Sequence, residues 1–179
     1  MKRHMGEDTP TLEKSVDNLI EETTRTMESF RRILSSIHPA MLEELGLYET
    51  INWLIEAFKK NTKISVRFQS NMQGHSMDFE RSLALYRTVQ ESLTNIMRYA
   101  KASVVIVQLQ KTPEGIYLSI EDNGCGFEAD KVDTKTHLGL LGMRERAYAI
   151  NARFNLESIM GKGTRIEIKL ESGYLIAKM

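Results

Sequence analysis

Asp122, Gly124 and Gly126 stand in the run Glu121-Asp122-Asn123-Gly124-Cys125-Gly126-Phe127, an acidic residue followed by two glycines spaced one apart. An ionised carboxylate held in place accepts hydrogen bonds and donates none, so it suits a donor such as an exocyclic amine. Gly124 and Gly126 carry no Cβ and are free to take positive φ, so the backbone can turn sharply and a flat ligand can approach it. A second group lies upstream. Glu91 and Asn95 are four apart, and Arg98 and Tyr99 follow about a turn later. On a helix such spacing puts a carboxylate, a carboxamide and a guanidinium on one stripe, a set suited to oxygen ligation of a hard cation beside a phosphate clamp. Asn is a mediocre helix former, so its place in mid-helix asks for a reason other than propensity. Downstream, Gly139 and Gly142 sit at the start of Leu138-Gly139-Leu140-Leu141-Gly142-Met143-Arg144-Glu145-Arg146. A glycine-rich helix start offers unpaired N–H groups and a positive dipole end to an anion.

The surrounding pattern says what must position these groups. Ile116, Leu118 and Ile120 alternate with Tyr117, Ser119 and Glu121, which predicts a strand with one buried face running into Asp122. Ser103 to Gln110 is a second β-rich run, joined to the first by the turn Pro113-Glu114-Gly115. From Asp78 to Ala100, Leu83, Tyr86, Val89, Leu93, Ile96 and Met97 follow helical spacing. Lys63 to Phe68 reads as a strand, preceded by a helix through Ile51, Leu54, Ile55 and Phe58. After Phe127 a polar loop runs from Glu128 to His137. Arg153 to Ile159 and Arg165 to Leu170 are further strands, joined by the tight turn Met160-Gly161-Lys162-Gly163-Thr164.

The N-terminal third is different in kind. Leu12, Val16, Leu19, Thr23, Thr26, Phe30, Ile33 and Ile37 alternate spacings of four and three between Pro10 and Pro39. This predicts a helix of roughly 28 residues, about 42 Å long at 1.5 Å per residue. So wide an apolar stripe needs partners, in a bundle or coiled coil or on the helix's own globular domain. Threonines in the seam argue against a tight two-stranded zipper.

Composition narrows the class. In 179 residues there is room for one good core and an appendage, and 24 basic residues balance 24 acidic ones. No global charge therefore draws the chain to nucleic acid or to a membrane surface. Cys125 is the single cysteine, which excludes an internal disulfide framework and fits a reducing compartment. Apolar runs are too short to span a bilayer, and no secretory signal precedes the polar N-terminal stretch. Met1 to Gly6 reads as a tag or truncation junction, so the expectation is a cytoplasmic domain or fragment, or the cytoplasmic part of a membrane-bound sensor.

Taken together and in order, these stretches resemble the ATP-binding domain of sensor histidine kinases, within the wider group shared with DNA gyrase and the heat-shock chaperone ATPases. Glu91-x-x-x-Asn95 is similar to the family's asparagine box. Asp122-x-Gly124-x-Gly126, Gly139-Leu140-Leu141-Gly142-Met143 and Gly161-x-Gly163-Thr164 are similar to its three glycine boxes. His38-Pro39-Ala40-Met41-Leu42-Glu43-Glu44-Leu45-Gly46-Leu47 resembles the link of the nitrate-sensor type, which joins the dimerising bundle to the catalytic domain. Two departures stand out. Arg98-Tyr99-Ala100 replaces the usual basic residue, histidine and alanine. None of His4, His38, His75 and His137 has the sequence context of the family's phosphoacceptor.

The resemblance implies an α+β fold: a long N-terminal helix, then a two-layer α/β sandwich of the Bergerat type, its mixed or antiparallel sheet covered by helices on one face. It implies a tag or disordered segment at 1–10, a bundle helix over 11–44, a catalytic domain over 45–171 and a tail over 172–179. ATP and Mg2+ are the implied cofactors. Asp122 would accept the adenine amino group, with Gly124, Gly126, Gly163 and Thr164 completing the pocket. Asn95 would hold Mg2+, with Arg98 and Tyr99 beside it. Gly139, Leu140 and Gly142 would wrap the phosphates, Met143 would line the pocket, and Glu91 would orient or deprotonate the nucleophile. The γ-phosphoryl would pass to a histidine on a missing or partner segment and on to a response regulator receiver domain, in a homodimer formed through the N-terminal helix. Two other readings share the fold: an ATPase or a serine kinase of the anti-sigma-factor type, and a degenerate module used for dimerisation.

Overall fold

The computed structural model describes residues 39–128 and 138–172. The expected helix over 11–38, the loop over 129–137 and the tail beyond 172 lie outside the described residues.

Helix α1 (Pro39–Asn61) is broken at Gly46, whose φ of 82° and ψ of 176° interrupt the helical run. A Cβ built at this glycine would meet nothing within 4 Å, so glycine answers the torsion here and not a lack of room. Thr50, wholly buried, donates its hydroxyl to the Gly46 carbonyl at 2.7 Å, tying the break to the turn that follows it. Ile51, Leu54, Ile55 and Phe58 are fully buried, the face expected from their spacing. Removing each such side chain from water is worth about 1.5–3 kcal/mol.

Strand β1 (Ser65–Ser70) leads to α2 (Phe79–Asn95), which Asp78 caps by accepting the Arg81 N–H at 3.0 Å. The remaining elements are β2 (Val104–Thr112), β3 (Gly115–Asp122), α3 (Leu138–Ala149), β4 (Arg153–Ile159) and β5 (Gly163–Glu171). The five strands make one mixed sheet in the order β1-β2-β3-β5-β4, with β1 parallel to β2 and every other pair antiparallel. Val105, Val107, Leu109, Ile116, Leu118, Ile120, Ile166, Ile168 and Leu170 alternate along the three inner strands and are buried beneath the helices. The opposite face carries cross-strand polar pairs: Gln108 to Gln69, Ser119 to Gln108, and Tyr117 shared between Glu167 and Arg165. This is the expected two-layer sandwich with one open sheet face. By the period of two, Asp122 falls on the helix side, at the end of the central strand.

Two local expectations change. Spacing predicts an apolar stripe on α2, yet the structure also buries Ser82, Ala84, Leu85, Thr88, Gln90 and Ser92. The helix packs against both α1 and α3, so one stripe does not suffice. Its buried hydroxyls bond their own preceding turn, Thr88 to the Ala84 carbonyl at 2.9 Å and Ser92 to the Thr88 carbonyl at 2.7 Å. The helix expected to run regularly to Ala100 does so only to Asn95. Residues Ile96–Ala100 form a single π turn, closed by Lys101 in the left-handed region. Among the described residues no helix is long and apolar enough to cross a membrane.

Candidate functional site

The four stretches that the sequence separates by tens of residues are joined in series by direct contacts. The π turn after α2 meets the glycine turn after β3, where the Cys125 N–H donates to the Ala100 carbonyl at 2.6 Å. That glycine turn meets the β4–β5 turn, where the Gly161 N–H donates to the Cys125 carbonyl at 2.7 Å and the Phe127 N–H to Ser158 Oγ at 2.9 Å. Helix α3 meets α2, where Ser92 Oγ lies 3.7 Å from Met143 Sδ and the Glu91 carboxylate lies on Gly139.

Backbone packed on backbone explains the glycines. A Cβ at Gly124 would fall 2.3 Å from the Ala100 carbonyl, and one at Gly126 would fall 2.1 Å from the Ile159 carbonyl. Gly126 has φ of 57°, whereas Gly124 is not among the residues with positive φ. The close approach made by these two glycines is thus to the protein's own chain. Gly163, at φ of 100°, lies against the Asp122 carbonyl, where a Cβ would fall at 1.9 Å.

Asp122 is 6% exposed. Its Oδ1 accepts the Gly124 N–H at 2.8 Å, in an Asx-type turn that the next two residues complete. Burial raises its carboxyl above the ordinary value. The Gly124 and Thr164 N–H groups pull it back down, and the neighbouring Glu121 charge adds to the rise. A buried carboxylate with acceptor capacity to spare and little water is poised for a ligand that brings N–H donors. Thr164 pairs with Asp122 across the β3–β5 ladder, and its hydroxyl shares a 2.9 Å hydrogen bond with Ser158 Oγ.

Opposite lies the α2 stripe Arg87, Glu91, Asn95, one turn between each, facing the α3 stripe Gly139, Gly142, Arg146. Arg87 donates to Gln90 Oε1 at 2.6 Å. The Arg146 guanidinium folds back over Gly142, where a Cβ would come within 3.0 Å of its Nη1. Burial draws Arg146 below its ordinary value; the charges of Glu91 and Glu145 act upward and that of Arg87 downward. Asn95 and Arg98 are half-buried. Arg98 Nε is buried without a hydrogen-bond partner among the described residues.

Gly139, Leu140 and Gly142 line the start of α3 and are partly accessible. Tyr99 is 66% exposed, and Met143 is fully buried against α2, so its side chain serves helix packing. Sequence reasoning passed over four contributors. Asn123 accepts the Ser103 and Val104 N–H groups at 3.0 and 2.9 Å and pins β2 to the end of β3. Ser158, Ala100 and Arg146 are the others. Arg146 had a signal, its position one turn after Gly142; the rest depend on contacts between distant segments.

The family described as Histidine kinase-, DNA gyrase B-, and HSP90-like ATPase matches residues 80–173, just over half of the 179. The chain belongs to this family, as an ATP-binding catalytic domain of the kind found in sensor histidine kinases of the nitrate-sensor-like type. It is 32% identical over 147 residues to the oxygen sensor histidine kinase NreB of Staphylococcus carnosus, covering 82% of this chain and 42% of that protein. It is 28% identical over 169 residues to the sensor histidine kinase ComP of Bacillus subtilis, covering 92% of this chain and 22% of that one. The chain thus spans less than half the length of these relatives. Among solved structures, the Acinetobacter baumannii histidine kinase AdeS shares the fold at a TM-score of 0.57 and 18% identity, over 94% of this chain and 86% of that one. The histidine kinase domain of the Erythrobacter litoralis EL346 blue-light activated kinase does so at 0.52 and 20%, over 86% and 66%.

Proposed function

We propose that this chain binds Mg2+–ATP at the Asp122 end of the sheet and transfers the γ-phosphoryl to a histidine on another segment, for relay to a response regulator receiver domain. The observation that carries the reading is Asp122 itself: a buried carboxylate on the helix side of the central strand, held against the turns at Gly124 and Gly163. Its free acceptor positions suit the adenine amino group. Guanine, which has a carbonyl there, would oppose acceptor to acceptor.

Asn95 offers a carboxamide oxygen to Mg2+, with Arg98 as counter-charge to the phosphates. The donor set fits a metal that arrives with nucleotide. Among the described residues no three of His, Cys, Asp and Glu gather into a metal-binding group, and Mg2+ commonly takes one or two protein oxygens beside phosphates and water. The bound ion supplies charge neutralisation to the phosphates. Glu91, one turn before Asn95, orients the nucleophile or takes its proton, and the N–H groups at the start of α3 hold the phosphate chain. Phosphoryl transfer rests chiefly on positioning and charge neutralisation, which this arrangement of two helix stripes provides. Residues 11–44 are proposed as a dimerising bundle helix, and the chain as part of the cytoplasmic portion of a sensor.

Incubation with γ-labelled ATP and Mg2+ tests the reading, following acid-labile, base-stable label. The chain should bind ATP without labelling itself and should label a histidine-bearing bundle helix supplied in trans. Label on this chain alone would overturn the assignment of the acceptor to another segment.

A further inference from the structure

Arg146 lies on the α3 stripe that faces Glu91, and none of the roles above uses it. Helical side chains lean toward their own N-terminus. From position 146 that direction leads over Gly142, whose missing Cβ leaves the guanidinium its channel at 3.0 Å, toward the helix start at Gly139. Its Nε is buried without a hydrogen-bond partner among the described residues. Across the groove stand one carboxylate, Glu91, and a second guanidinium, Arg87; Glu145 acts from Arg146's own helix. Arg87 is engaged by the neutral Gln90 amide oxygen. Glu91 lies against Gly139 and makes no ion pair with Arg146 within 4.0 Å among the described residues. Two guanidinium groups therefore share one carboxylate in the groove between α2 and α3, beside the N–H groups that open α3. A buried donor without an acceptor, beside a second guanidinium, is stabilised when an anion with several oxygens approaches.

We propose that Arg146 is a specificity-determining residue that engages the terminal phosphate of the nucleotide, so that the chain prefers ATP to ADP. This rests on the proposed reading of the site: Glu91 serves the nucleophile that attacks the γ-phosphoryl, and Arg146 lies beside Glu91, away from the adenine end marked by Asp122. A planar guanidinium suits two phosphate oxygens at once, which an ammonium cannot reproduce in geometry.

Calorimetric titration of the full chain in Mg2+ with ADP and with the non-hydrolysable β,γ-imido analogue of ATP tests the proposal. Arg146→Gln should weaken the triphosphate analogue by about tenfold or more and change ADP less than about twofold. Arg146→Lys, which keeps the charge but loses the planar fork and some reach, should retain part of the preference. Equal losses for both nucleotides would assign Arg146 to helix packing and overturn the proposal, as would equal affinities in the substituted and unsubstituted chains. If the unsubstituted chain bound neither nucleotide, the nucleotide reading would fall first and this inference with it.

Discussion

Gly139 sits directly on Glu91: a Cβ at 139 would fall 2.1 Å from Glu91 Oε1 and 3.1 Å from its Cδ. The atoms met belong to the end of a flexible side chain, so an added methyl displaces the carboxylate and leaves the helix in place. Gly139→Ala should shift the melting temperature by no more than about 3 °C, since alanine's helix propensity offsets the crowding. Phosphoryl transfer to a histidine-bearing helix supplied in trans should fall by about tenfold or more, because the carboxylate proposed to serve the nucleophile has moved. Unchanged transfer would remove Gly139 from the positioning of Glu91.

Asp122→Asn separates binding from stability. The folded-state carboxyl is raised by burial, so its contribution to folding is favourable at low pH and is lost as pH rises through the folded value. At neutral pH the ionised group costs stability, and the amide removes that cost. The variant should melt at the same temperature or higher while calorimetry finds no ATP binding. In the unsubstituted chain, ATP affinity should fall as pH drops through the raised carboxyl value, because the protonated group is a poorer acceptor for the adenine amine. Retained tight binding by the variant would overturn the adenine assignment.

Gly163 and Gly161 share one turn and should respond differently to alanine. Both have positive φ, 100° and 76°, but a Cβ at 163 would meet the Asp122 carbonyl at 1.9 Å while one at 161 meets nothing within 4 Å. Gly161→Ala should cost about 1–2 kcal/mol, the backbone term alone. For Gly163→Ala the cost should reach about 3 kcal/mol or more, since two paired strands must part. Denaturant unfolding of the two variants measures the difference, and equal values would contradict the packing described.

The break in α1 offers a similar contrast. Thr50→Val removes the buried hydroxyl that reaches the Gly46 carbonyl at 2.7 Å, at a cost of about 0.5–1.5 kcal/mol. Gly46→Ala meets no crowding, yet the torsions at 46 are open essentially to glycine alone and should cost about 1–3 kcal/mol. Thermal melts of both variants check this. A Gly46→Ala chain as stable as the original would mean that the helix can run straight through.

By itself the sequence determined the elements and the chemistry they carry. Alternation along 116–121 marks the central strand and puts Asp122 on its buried side, and the four-residue spacing of Glu91 and Asn95 puts both on one face. These are local periodicities, written into the chain by backbone geometry, and they survive without knowledge of any neighbour. The order of the asparagine and glycine motifs then identified the family. Tertiary structure decided what each glycine is for: Gly124 yields to Ala100, Gly163 to Asp122, Gly139 to Glu91 and Gly142 to Arg146. It also decided that α2 is buried beyond its apolar stripe, and that a π turn follows Asn95. Such features follow from how close two distant backbones come, a distance set by the packing of all the layers and recorded in no single window of residues.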